Sequence, residues 1–131
     1  MSKYLQFPDV VFKNRESLLA ALADCGYIRV EEGTALPLYG YHGDRRAETA
    51  ELVVRRQHIG SASNDLGFTL TPQGFVPIIS EYDRATMHKG KFLAILRTAY
   101  HEHAAQKLAT SLHGTLTRKV EGGKIKILIR R

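Results

Sequence analysis

Apolar and polar side chains alternate along Tyr4–Phe12, with Pro8 interrupting the run, which predicts a first strand with an irregular point. Asn14 then stands as an N-cap before Arg15-Glu16-Ser17. Leu18, Leu19 and Leu22 follow at helical spacing, and Gly26 provides the stop. Tyr27-Ile28-Arg29-Val30 returns to a strand pattern and runs into a Glu31-Glu32-Gly33 turn. Leu36–Tyr41 and Thr49–Arg55 predict two further strands around Gly43-Asp44. Residues 57–65 form a small, polar loop. Leu66–Leu70 and Phe75–Ile79 flank Thr71-Pro72-Gln73-Gly74, a hairpin signature.

From about Thr86 to Leu112 the period changes to that of one long helix. Phe92, Leu93, Leu96, Tyr100, Ala104, Leu108 and Leu112 mark its buried stripe, and Gly114 ends it. Thr115–Val120, Glu121-Gly122-Gly123 and Lys124–Arg130 close the chain as two strands and a turn. The order β-α-β-β-β-β-β-α-β-β predicts a single α+β domain over residues 1–131. Its expected form is a mainly antiparallel sheet with two helices packed on one face and a C-terminal β-hairpin.

Composition adds little to this picture. A chain of 131 residues removes about two-thirds of its unfolded surface from water on folding. The lone Cys25 excludes an internal disulfide and favours a reducing compartment. No apolar stretch approaches the roughly 20 residues that span a bilayer, and Met1–Phe12 carries no signal-like apolar run. A cytoplasmic location without membrane contact is therefore expected.

Several short segments, in this order and spacing, carry a family resemblance. They are Met1-Ser2-Lys3-Tyr4, Leu22-Ala23-Asp24-Cys25-Gly26-Tyr27, Gly40-Tyr41-His42-Gly43 before Ala50-Glu51-Leu52-Val53-Val54-Arg55, Asp65-Leu66-Gly67-Phe68, Tyr100, and Gly123-Lys124-Ile125. Together they resemble the conserved hypothetical chloroplast reading frame thirty-five family, a bacterial, phage and plastid domain of unknown function. The resemblance implies a partner in a multi-protein system that includes an AAA-type ATPase. It implies the plastid stroma as the location if the chain is plastid-encoded, and it transfers no catalytic residues.

Charge is unevenly distributed. Thr115–Arg131 holds six basic side chains against Glu121, a balance of +5 in a total of +6. Alternation places Ile125, Ile127 and Ile129 on one face of the final strand and Lys124, Lys126, Leu128 and Arg130 on the other, with Lys119 joining the basic face from the facing strand. Lys119, Lys124, Lys126 and Arg130 are thus a candidate polyanion site for RNA or DNA. Four phosphate contacts would give a log–log salt slope of about −3.6. The same lysines also suit a solvated face or an edge strand guarded against aggregation, and an unguarded edge would let a second copy pair to make a dimer.

The long helix has a stripe wider than one row, because Phe92, Ile95 and Ala99 lie beside Leu93, Leu96 and Tyr100. That width fits one deep core, or a core plus a second contact surface, so Phe92, Ile95 and Ala99 are the candidate protein-contact residues.

Catalytic and metal signals are weak. His101 and His103 lie about 200° apart on a helix, His42 and His58 sit in loops, and no metal site is expected. Cys25 falls at a helix C-terminus, where the dipole disfavours a thiolate. Glu81 and Asp83 would share a strand face about 7 Å apart, and with His88 they form the one enzymatic arrangement worth testing. There is no Walker motif, zinc knuckle or nucleophile triad, so neither catalysis nor a cofactor is expected. The leading expectation is a non-catalytic interaction module, a small accessory subunit. The alternative is a nucleic-acid-binding protein using the basic C-terminal hairpin.

Overall fold

The alternating segments assemble into one open antiparallel sheet in the computed structural model, which describes residues 3–112 and the backbone of 115–121 and 124–130. Its strands are β1 (Tyr4–Gln6), β2 (Glu31–Tyr39), β3 (Arg45–Val54), β4 (Leu66–Thr71) and β5 (Gly74–Ser80), in the order β1-β5-β4-β3-β2. Helix α1 spans Arg15–Asp24, α2 spans Glu81–Thr86 and α3 spans Phe92–Ser111. The domain is α+β, with three helices where the sequence pattern predicted two. Thr115–Glu121 (β6) and Lys124–Arg130 (β7) pair antiparallel as a separate two-stranded ladder.

Period-two alternation divides the sheet residues between two buried clusters. Leu52, Val54, Leu66, Phe68 and Ile79 join Leu18 and Leu22 of α1 and Phe92, Leu96 and Tyr100 of α3 in the larger one. Val53 and Ile78 point the other way, toward Leu38 and Ala50. Gly67, between Leu66 and Phe68, faces this smaller cluster, and a Cβ there would lie 2.7 Å from Ala50 Cβ. Phe12 packs edge-on against Phe68 at 5.9 Å and Tyr100 at 5.0 Å, knitting sheet to helix.

The predicted start of α1 is observed. Asn14 Oδ1 accepts the Ser17 N–H at 2.8 Å, while the Asn14 N–H donates to the Tyr100 hydroxyl at 2.9 Å. One asparagine thus ties the first helix to the last.

Three expectations need correction. The first strand stops at Gln6, and Phe12 meets Phe75 only as an isolated bridge. Tyr27–Val30 is not a strand. After Gly26 turns at φ +100°, the Tyr27 ring packs against Phe92 at 5.7 Å, and residues 27–30 join no strand. Strand β2 begins at Glu31 and absorbs the expected Glu31–Gly33 turn.

The helix expected from about Thr86 to Leu112 starts late, at Phe92, and a separate short helix, α2, ends at Thr86. His88 (φ 50°, ψ 41°) and Lys89 (φ 57°, ψ 36°) are left-handed within a 3₁₀ turn over Met87–Gly90, and α3 starts only at Phe92. A left-handed residue cannot continue a right-handed helix.

Candidate functional site

The break between α2 and α3 opens a cleft of about 370 Å³. The loop Ile59–Ser63 forms one wall, Tyr27 a second, and Tyr82, Thr86, Met87 and His88 the third. His88 reaches this position because of its left-handed backbone. Its ring stacks on Phe92 at 5.8 Å and meets the Tyr27 ring edge-on at 6.0 Å. Two consecutive non-glycine residues in that region cost about 1 kcal/mol or more each, and such strain collects where a side chain must be held in an unusual place.

Behind the cleft lies a buried polar network. Ser80 caps α2: its hydroxyl oxygen accepts the Asp83 N–H at 3.0 Å, and its O–H donates to Asp83 Oδ2 at 2.7 Å. Asp83 Oδ2 also accepts the backbone N–H of Asn64 at 2.9 Å, and the Asn64 side-chain amide donates to Ser80 Oγ at 2.9 Å. Asp83 is 1% exposed, and its Oδ1 is buried with no hydrogen-bond partner among the described residues. Burial, and then Cys25 and Asp83, push the Tyr27 phenol above its ordinary value.

A second buried carboxylate is fully matched. Asp65 Oδ2 accepts from Tyr39 N–H at 2.8 Å and Arg55 Nη1 at 2.7 Å, and its Oδ1 accepts from Arg56 N–H at 2.8 Å. Arg55 also donates to Glu31 and to the Pro37 carbonyl. Hydrogen bonds that it donates to Glu31, and then to Asp65, hold its guanidinium protonated more firmly than usual. This cluster fastens the loop 57–65 to β2 and β3.

The residues singled out from sequence are scattered. Phe92 is buried in the main core, Ala99 is half-buried against it, and Ile95 is 41% exposed. Lys119, Lys124, Lys126 and Arg130 fall on β6 and β7, whose side chains lie outside the described residues. Glu81 and Asp83 are not end-of-strand neighbours, because they occupy the first turn of α2. Glu81 is exposed and does not line the cleft, Asp83 is buried, and His88 lines it, so the three do not share one cleft. His103 lies 2.7 Å from Asp24 across the α1–α3 contact. Among the described residues no group of three His, Cys, Asp or Glu side chains converges to hold a metal, and no helix is long and apolar enough to cross a membrane.

The cleft itself was missed from sequence. Ser80-Glu81-Tyr82-Asp83 is a capping signature that, with Gly90, could have placed a short helix and a break here. Nothing in the pattern brings Tyr27 to His88, since that contact depends on tertiary packing. No family model, curated protein or solved structure matches the chain.

Proposed function

We propose that this protein is a non-catalytic interaction module, a small accessory subunit whose partner-binding surface is centred on the cleft. One observation carries the reading: the cleft is walled by Tyr27 and Tyr82, and the most exposed large apolar side chain among the described residues belongs to the neighbour of Tyr27 in the chain. Ile28 follows Tyr27 in the chain and is 82% exposed, and Tyr82 is 42% exposed. Tyrosine supplies a large, stiff apolar face with a polar tip, which suits it to anchoring protein interfaces. The partner system implied by the family resemblance, with its AAA-type ATPase, is the expected setting. In this reading α1 and α3 cover one face of the sheet and leave the cleft open at the end of α2.

The test is retention of a stoichiometric protein by the tagged full chain from native extract, with a nuclease-treated arm. The reading expects retention to survive nuclease and to be lost in the Ile28→Glu, Tyr82→Ala double variant. A chain that stays monomeric and retains nothing at moderate salt overturns it.

The ladder between β6 and β7 supports a second reading. Its register sets Lys119 opposite Lys126 in the segment that carries +5 of the net charge. A basic C-terminal hairpin of this kind would bind RNA or DNA through phosphates. Charge reversal of Lys119, Lys124, Lys126 and Arg130 should then abolish salt-dependent binding, and unchanged affinity removes the idea.

A further inference from the structure

We draw no further inference here: the strongest candidate, the cavity of about 240 Å³ between Arg84 and the N-terminus of α3, rests on a helix terminus beside an exposed arginine, and nothing else among the described residues points to a ligand there.

Discussion

Arg55 Nη1 lies 2.7 Å from Asp65 Oδ2, and that contact helps to join the polar loop 57–65 to β2 and β3. The carboxylate is buried and each of its oxygens accepts at least one backbone N–H, so neither oxygen can be replaced by a donor without conflict. Asp65→Asn should cost about 3–5 kcal/mol, because the new amide meets N–H donors and the guanidinium loses its buried partner. Urea unfolding checks this. The midpoint should fall while the slope stays constant, and a loss under about 1 kcal/mol would show the cluster to be solvated in practice.

Acid should loosen the same corner. The Arg55 guanidinium, hydrogen-bonded to Glu31, holds that carboxyl below its ordinary 4.5. Glu16, beside Lys107, is lowered in the same direction. A depressed carboxylate binds its proton more weakly when folded, so its contribution is complete above about pH 4.5 and is lost as the pH falls below it. The Glu31 side chain is more than half exposed, which limits the effect to about 0.5 kcal/mol. Stability measured from pH 6 to pH 3 should therefore decline less steeply in Glu31→Gln than in the parent. Identical profiles would show that the pairing does not persist in solution.

The glycine between Leu66 and Phe68 is fixed by space. An added Cβ at Gly67 would sit 2.7 Å from Ala50 Cβ and 3.2 Å from side-chain atoms of Ile78 and Leu38. All three neighbours belong to the small buried cluster on the side of the sheet opposite Leu66 and Phe68. Gly67→Ala should cost about 1–3 kcal/mol through overpacking, and Ala50→Gly should recover part of that loss in the double variant. Thermal unfolding of the four chains in this cycle decides it, and strictly additive losses would mean that the two positions do not touch.

Much of the fold was legible because local chemistry and tertiary packing agree. Asn14 is a good cap, Leu18 and Leu22 face the core, and Thr71–Gly74 turns the chain between strands that pair as their alternation requires. Sequence reading failed where packing overrode pattern. Tyr27–Val30 has the composition of a strand, yet the Tyr27 ring finds Phe92, and the backbone follows the ring. The last helix was expected to begin near Thr86, but His88 and Lys89 adopt a left-handed backbone that neither residue prefers, and the helix begins only at Phe92. The cleft was hidden for the same reason. Its walls come from three separate segments, and the buried network around Asp83 becomes visible only when burial and hydrogen bonds are known together.

The break at His88 and Lys89 makes a further prediction, because strain held for a purpose should separate stability from binding. Lys89 sits at φ 57° and ψ 36°, is exposed and does not line the cleft. Glycine adopts that conformation without the steric cost, so Lys89→Gly should raise stability by about 0.5 kcal/mol or more, even after its greater unfolded-state freedom is counted. Binding at the cleft should be unchanged, since the His88 ring stays against Tyr27 and Phe92. His88→Gly should relieve similar strain but remove the ring that forms part of the wall, so stability and partner retention should move in opposite directions. Denaturant unfolding and retention assays on both variants measure the two effects separately. If Lys89→Gly destabilises the chain, the left-handed turn is held by contacts of the lysine side chain; if His88→Gly retains the partner undiminished, the ring plays no part in recognition.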